Sequence, residues 1–178
     1  MISDFVKGKA QYDYPEMIRH GIRLHRLIDD FTDRHPATAA IKELFRPHYR
    51  LYAGAFTDVA YDYFLANDKN EFKDADALRS FSTTTYRILE NFEQYFPARF
   101  AAMFPYMQSQ DWLSNYIHTW GIEKSFGGLV RRSAYLTESE TASKIFNNHL
   151  PEMEVFYNEF FPSLKQFAAN TLEQFLKQ

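Results

Sequence analysis

No cysteine occurs among the 178 residues of this chain, and no apolar run approaches the length of a membrane span. The lack of cysteine excludes disulfides, thiolate metal ligands and cysteine nucleophiles, and it is compatible with a reducing compartment. The N-terminus shows no basic region followed by an apolar one, so we expect no signal peptide. Together these absences predict a cytoplasmic protein with no membrane-inserted segment.

Basic residues are not in excess either. Lysine and arginine number 20 against 23 aspartates and glutamates, and the formal net charge at pH 7 is −3. Proteins that bind nucleic acid broadly usually have the opposite balance, so we expect no nucleic-acid partner. A local basic patch could still attract an acidic protein, because electrostatic steering depends on the local field rather than on the net charge.

Aromatic residues are abundant instead. They make up 18% of the chain, with 18 phenylalanines and 12 tyrosines, and the hydrophobic fraction is 46%. This composition is typical of a globular protein rather than a disordered one. The length suits one domain with a sizeable core. We expect a core of large rings, and the same rings could line a wide aromatic cleft.

Apolar residues recur with helical spacing along most of the chain. The pattern predicts helices over 15–33, from 36 to about 46, over 51–65, over 74–96, from 137 to about 148 and from 151 to about 176. Pro47 is expected to kink or end the second helix, and Pro162 to kink the last. A capping box, Thr137-x-x-Glu140, marks the start of the helix before the last one. No alternating run indicates a strand, so the predicted fold class is all-α, a single-domain bundle of seven to nine helices over residues 1–178.

The first long helix carries His25, Asp29 and Asp33 at spacing four, so these side chains share one helix face. An imidazole and carboxylates on one face suit a divalent metal, because the ion supplies the charge that makes their burial tolerable. A solvated face with internal ion pairs explains the same short pattern, which recurs by chance.

A second pair, Asp58 and Asp62, is also four apart, on an otherwise apolar helix face. Two such carboxylates repel each other unless a cation or a proton lies between them. The alternative is one aspartate near the helix N-terminus and one in solvent. Helical bundles build metal sites from facing pairs of this kind, and Asp4 could be a further ligand. Oxygen and imidazole ligands suit Mn²⁺, Mg²⁺ or Fe²⁺ more than structural zinc, and the natural chemistry is metal-assisted phosphoester hydrolysis.

Two groups of basic residues could hold an anion. Arg23, Arg26 and Arg34 surround the first long helix, and Arg131-Arg132 follow two glycines. The second group is explained equally by a solvated helix end. It could also bind a phosphate or an acidic partner.

Three segments within residues 1–66 resemble the acyl carrier protein phosphodiesterase family, which is similar to the all-helical HD-domain metal-dependent phosphohydrolases. The segments are Asp4-Phe5-Val6-Lys7-Gly8, Gly21-Ile22-Arg23-Leu24-His25-Arg26-x-Ile28-Asp29-x-Phe31-Thr32-Asp33-x-His35-Pro36, and Asp58-Val59-x-x-Asp62-x-Phe64-Leu65. The resemblance continues more loosely through the Trp112 region and through residues 128–132.

The resemblance implies hydrolysis of the phosphodiester that joins 4′-phosphopantetheine to a serine of holo-acyl carrier protein, with release of the apo protein. It implies a divalent metal, with Mn²⁺ as the first expectation, and an acidic carrier protein as partner. The residues expected to bind the metal, or to support its ligands directly, and to act in catalysis are Asp4, His25, Asp29 and Asp62. The expected outer support is Asp33 and Asp58. The residues expected to neutralise the phosphate or meet the carrier protein are Lys7, Arg23 and Arg26.

Two departures from the family pattern favour alternatives. Family members usually have a histidine where this chain has Tyr63, and they usually carry an Asn-Phe-Leu-Ala-His segment ahead of the motif at Asp4. We therefore expect one or two potential ligands to be missing. A carrier-protein-binding homologue without turnover, or a phosphohydrolase of another small phosphoester such as a nucleotide, remain alternative hypotheses. The sequence leaves the oligomeric state open.

Overall fold

Nine α-helices and four short 3-10 turns form the regular structure of residues 2–177, the part of the chain described by this computed structural model. The helices are α1 (Glu16–Arg34), α2 (Pro36–Tyr49), α3 (Ala53–Asn67), α4 (Ala75–Glu90), α5 (Ala98–Ser109), α6 (Trp112–Asn115), α7 (Thr119–Arg132), α8 (Glu140–Asn148) and α9 (Leu150–Leu176). No strand occurs in this part of the chain. The all-α prediction is confirmed, whereas the relation to the HD-domain fold stays a prediction.

Prolines start helices as expected but do not end them. Pro36 is the first residue of α2, and the Nδ1 atom of His35 accepts a hydrogen bond from the backbone N–H of Ala37 at 3.2 Å. The expected break at Pro47 is absent, because α2 continues to Tyr49. Pro162 lies inside α9, and the kink expected there stays a prediction. Each proline removes one backbone hydrogen bond, and the packing of the flanking residues keeps the helix continuous.

Two other predicted helix boundaries were wrong. The helix expected over 74–96 ends at Glu90, and a separate 3-10 turn covers Glu93–Tyr95. The expected capping box at Thr137 does not form, because α8 begins at Glu140. Glu138 takes over the role, since its carboxylate accepts the backbone N–H of Thr141 at 2.9 Å.

The main core consists of rings contributed by α2, α3, α7, α8 and α9. Phe45, Phe56, Phe126 and Phe146 are fully buried, and the ring centroids of Phe56 and Phe126 lie 5.2 Å apart. Tilted pairs of this kind add about 0.5–1.5 kcal/mol each beyond the burial of their area. The predicted aromatic core is confirmed, and it fixes α3 against its neighbours.

A smaller apolar cluster holds α4, α5 and α6 together, through Tyr86, Phe100, Phe104 and Met107. The N-terminal segment packs against the same cluster, with the rings of Phe5 and Phe100 5.7 Å apart. This contact fixes the 3-10 turn Ser3–Phe5, and with it Asp4, at the side of α1.

Among residues 2–177, no helix combines the length and the apolar character that crossing a membrane would require.

Two glycines within helices offer a matched test of this packing. An added Cβ at Gly121 would lie 2.1 Å from the carbonyl oxygen of Asn115, whereas at Gly21 it would meet nothing within 4 Å. We expect Gly121→Ala to lower the free energy of unfolding by about 1–3 kcal/mol, because the α6 backbone has to move. Gly21→Ala should raise it by about 0.5–1 kcal/mol. Urea denaturation measures both, and equal effects would contradict the close approach of α6 to α7.

Candidate active site

Asp4, His25 and Asp29 converge at one end of the N-terminal segment. Each offers one ligand atom, and these three atoms lie within 4.8 Å of one another. The Nδ1 atom of His25 is 2.9 Å from Oδ2 of Asp29, and its Nε2 atom is 3.7 Å from Oδ1 of Asp4. His25 is half-buried, and the two carboxylates are exposed. Among the described residues this is the one such cluster of three.

Helical spacing and one tertiary contact bring these side chains together. His25 and Asp29 share a face of α1 because they are four residues apart. Asp4 comes from outside the helix, and Arg26 holds its segment in place. The Nη2 atom of Arg26 donates to the carbonyl oxygen of Val6 at 2.7 Å, and its Nη1 atom donates to Gln11 at 2.8 Å.

The donor set of this cluster suits a divalent cation. A carboxylate at Nδ1 orients an imidazole and raises its basicity, which leaves Nε2 as the ligating atom. The 3.7 Å separation between Nε2 of His25 and Asp4 leaves room for an ion bound by both, since each ligand bond is about 2.0–2.2 Å long. Asp29 is then placed to support His25 or to complete the ligand set.

A cleft of about 440 Å³ lies between α1, α3 and α9, and four of the predicted carboxylates line it. We call it the carboxylate cleft. The four are Asp29, Asp33, Asp58 and Asp62. Asp29 belongs both to this cleft and to the three-residue cluster, so the two features form one site. Asp62 lines the cleft, but it is not among the three residues whose ligand atoms lie within 4.8 Å of one another, and its role as a metal ligand stays a prediction.

Electrostatic repulsion shapes the carboxylate cleft. Burial, and then the charge of Asp58, raise the pKa of Asp62 to about 7. Burial likewise raises the pKa of Asp58 to about 7, with further contributions from Asp33, Asp29 and Asp4. Asp58 still reaches water because it lies on the wall of an open cleft, while protein surrounds it elsewhere. Both carboxyls therefore hold their protons to a higher pH than an ordinary aspartate does.

Lys42 is the cation that the sequence analysis missed. Its Nζ atom donates to Asp33 at 2.6 Å, its side chain is only 16% exposed, and its charge lowers the pKa of Asp58. An adjoining recess of about 760 Å³ is lined by Asp33, Asp58, Lys42, Arg46 and Arg50. Lys42, Arg46 and Arg50 recur every four residues, and this spacing was the available signal. We call these three the basic rim.

The predicted phosphate-binding residues are placed less simply. Arg26 has two of its donor nitrogens committed to the N-terminal segment. The guanidinium of Arg23 lies 4.9 Å from the ring centroid of Phe175, on α9. Lys7 is exposed, between the two N-terminal 3-10 turns. Their role in binding phosphate stays a prediction.

Tyr63 lies apart from the carboxylate cleft. Its ring packs edge-on against Phe64 and Phe146, at centroid distances of 5.4 and 5.2 Å. It lines a different recess, next to Asn67 and Leu150. The tyrosine at this position therefore removes no side chain from the cleft that contains Asp58 and Asp62.

Fold and site together define an all-α protein with an imidazole–carboxylate cluster beside a carboxylate-lined cleft. The chain belongs to the family described as acyl carrier protein phosphodiesterase, whose model matches residues 1–164.

Relatives from several bacteria carry the same description. Proteins named acyl carrier protein phosphodiesterase from Klebsiella pneumoniae subsp. pneumoniae and from Photorhabdus laumondii subsp. laumondii are 29% and 26% identical to this chain over 170 residues. Each alignment covers 96% of this chain, with 88% of the Klebsiella protein and 86% of the Photorhabdus protein. A relative of the same name from Shigella boydii is 26% identical, over 96% of this chain and 88% of its own length. No solved structure matches the chain significantly.

Removing one cleft carboxyl should alter the pH dependence of stability in the presence of a chelator. The pKa values of Asp58 and Asp62 rise from 3.8 to about 7 on folding, so the folded chain holds protons more tightly. The free energy of unfolding therefore falls as pH rises from about 4 to about 7 and then levels off. We expect Asp58→Asn to weaken this fall, and to be more stable than the unsubstituted chain above about pH 7.

Urea midpoints measured across this pH range test the expectation. Asp30→Asn is the matched control, since Asp30 pairs with Arg34 at 2.7 Å and does not line the cleft. An Asp58→Asn variant whose stability falls as steeply as that of the unsubstituted chain would contradict the account of the cleft.

Proposed function

We propose that this chain is a metal-dependent phosphodiesterase that hydrolyses the 4′-phosphopantetheine–serine phosphodiester of holo-acyl carrier protein to give the apo protein. The observation that carries the proposal is the convergence of Asp4, His25 and Asp29 beside the carboxylate cleft, in a chain of this family. The substrate is taken from the names of the relatives.

His25 through Nε2, and Asp4 through its carboxylate, would hold the metal, with Asp29 and Asp62 as the further candidates. Mn²⁺ is the first choice for this donor set, followed by Mg²⁺ and Fe²⁺. A bound divalent metal lowers the pKa of water and polarises the phosphoryl oxygen. Asp33 and Asp58 act from the outer positions, where Lys42 balances part of their charge.

Hydrolysis needs a proton acceptor and a proton donor. The water oxygen forms a bond to phosphorus and loses a proton, while the bond from phosphorus to the serine oxygen breaks and that oxygen gains one. A carboxyl whose pKa lies near 7 is suited to exchange protons at neutral pH. Asp58 and Asp62 meet this condition, and both line the cleft next to Asp29. We assign the proton transfers to Asp58, and to Asp62 as well if Asp29 alone completes the ligand set of the metal.

The charge of the basic rim favours an acidic protein as the substrate. Arg46 and Arg50 are exposed beside the recess that contains Asp58, and Arg46 also forms an ion pair of 2.8 Å with Glu43. Leu51, next to Arg50, is 99% exposed. A positive rim raises the association rate of an acidic partner and orients it toward the cleft. The carrier protein that the resemblance implies is acidic.

Cytoplasmic localisation stays a prediction.

Incubating the purified chain with Mn²⁺ and holo-acyl carrier protein tests the function. Mass spectrometry of the carrier protein should show loss of the phosphopantetheine arm, and EDTA should abolish that loss. The relative from Klebsiella pneumoniae serves as positive control. Carrier protein that binds but keeps its arm would instead support the non-catalytic alternative, and turnover of a nucleotide phosphoester alone would support the other alternative.

Adjacent aspartates on α1 give a matched pair for the site. We expect Asp29→Asn to lower kcat/KM by about 10- to 100-fold, because it removes a group that ligates the metal or orients His25. Asp30→Asn should leave kcat/KM within about twofold, since Asp30 faces away and pairs with Arg34. Single-turnover and steady-state rates on holo-acyl carrier protein provide the measurement, and equal losses in both variants would reject the assigned site.

A further inference from the structure

A second cavity, of about 640 Å³, lies between α6 and α7, with Val59 of α3 at its edge. We call it the tryptophan cavity. It is lined by Val59, Gln110, Trp112, Asn115, Tyr116, Trp120, Gly121, Lys124, Ser125, Gly128, Arg131 and Arg132. None of the residues assigned to the carboxylate cleft lines it.

Three cations face this cavity from one side of α7. Lys124, Arg131 and Arg132 are seven and eight residues apart, which places them on one helix face together with Gly128. Gly128 leaves space for the two arginines. A Cβ built there would lie 3.3 Å from Nη1 of Arg132 and 3.7 Å from Nη2 of Arg131. Both guanidinium groups therefore fold back over the same glycine.

Among residues 2–177, these cations have no carboxylate as ion-pair partner. Within residues 2–177, no carboxylate oxygen lies within 4.0 Å of the charged nitrogens of Lys124, Arg131 or Arg132. Lys124 instead lies over the ring of Trp120, with Nζ 4.7 Å from the centroid. Converging like charges repel each other, and a bound anion relieves the repulsion while accepting paired guanidinium hydrogen bonds.

The opposite wall is aromatic. Trp112 and Tyr116 are half-buried there, and the indole Nε1 of Trp112 donates to Gln110 at 3.1 Å. Burial raises the pKa of Tyr116 well above its ordinary value, and the charge of Asp62 adds to the effect. Both aromatic side chains are therefore placed to pack against an organic group in the cavity.

We propose that the tryptophan cavity binds the phosphate group of a phosphorylated small molecule, with Lys124, Arg131 and Arg132 on the phosphate and Trp112 and Tyr116 against its organic part. The three cations, all exposed and without a carboxylate partner among residues 2–177, supply more than the two positive charges that a phosphate monoester requires. The phosphate recognition stands on these residues. The choice of 4′-phosphopantetheine, bound here as the product after its release from the carboxylate cleft, rests on the proposed function.

The chain contains its own reporter for this site. Its two tryptophans, Trp112 and Trp120, both line the cavity. Calorimetric titration measures binding, and tryptophan fluorescence locates it. The probes are inorganic phosphate, 4′-phosphopantetheine and unphosphorylated pantetheine, each added to the full chain with and without EDTA.

We expect the two phosphorylated probes to bind saturably, to change the tryptophan emission, and to bind with and without EDTA. Pantetheine should not bind measurably. Tighter binding of 4′-phosphopantetheine than of phosphate identifies the ester as the ligand, and equal binding identifies free phosphate. Absence of binding, binding without a change in emission, or binding lost on adding EDTA overturns the proposal, because the last two outcomes place the phosphate elsewhere.

Arginine variants complete the test. Arg131→Met and Arg132→Met should each weaken phosphate binding at least tenfold, because each removes a charge-assisted donor. Arg34→Met is the matched control and should leave binding unchanged, since Arg34 pairs with Asp30 on α1. Circular dichroism confirms that all three variants fold. Unchanged binding in both cavity variants overturns the proposal.

The test is independent of turnover. A chain that binds phosphate in the tryptophan cavity but does not hydrolyse holo-acyl carrier protein refutes the proposed function and leaves this inference standing. A chain that hydrolyses the carrier protein but binds no phosphate in the cavity refutes the inference alone.

Discussion

Carboxylates from α1 and α3 face one another across the carboxylate cleft, and their mutual repulsion is the constraint on which the site depends. Asp29 and Asp33 come from α1, and Asp58 and Asp62 from α3. Lys42 contacts Asp33 but neutralises only one charge. The remaining charge needs a proton or a cation, and burial together with this repulsion raises the pKa values of Asp58 and Asp62.

The aromatic core makes this repulsion tolerable. Rings from α2, α3, α7, α8 and α9 lock α3 in position, and the hydroxyl groups of Thr38 and Tyr61 share a buried hydrogen bond of 3.0 Å across α2 and α3. The helices cannot move apart to separate the charges without opening this core. A rigid frame that holds like charges together provides a preformed place for a cation, as designed and natural helical bundles do.

Sequence spacing predicted what lies within one helix. The four-residue spacing of His25 with Asp29, and of Asp58 with Asp62, correctly placed each pair on one face. The motif suggested that Asp4 lies close to His25. Its position, however, depends on the packing of Phe5 against Phe100 and on the hydrogen bond from Arg26 to the carbonyl oxygen of Val6. Such contacts between distant segments carry no local signature.

Cations and helix boundaries were predicted less well for related reasons. From the sequence alone, Lys42 cannot be told from an ordinary surface lysine, because its contact with Asp33 forms only when α2 packs beside α1. Arg131 and Arg132 were predicted as a possible anion site, and their convergence over Gly128 follows from spacings of three and four within α7. The cavity that they face requires the packing of α6 and cannot be read from the sequence. Pro47 and Pro162 would end an isolated helix, and tertiary packing overrides that tendency.

The central claim is that Asp4 and His25 hold a divalent metal at the edge of the carboxylate cleft. A crystal structure of the chain grown with Mn²⁺, with anomalous data collected at the manganese edge, tests it most directly. The account predicts an anomalous peak about 2.0–2.2 Å from Nε2 of His25 and from a carboxylate oxygen of Asp4, with Asp29 adjacent. A peak bound elsewhere, or none at saturating Mn²⁺, would contradict it.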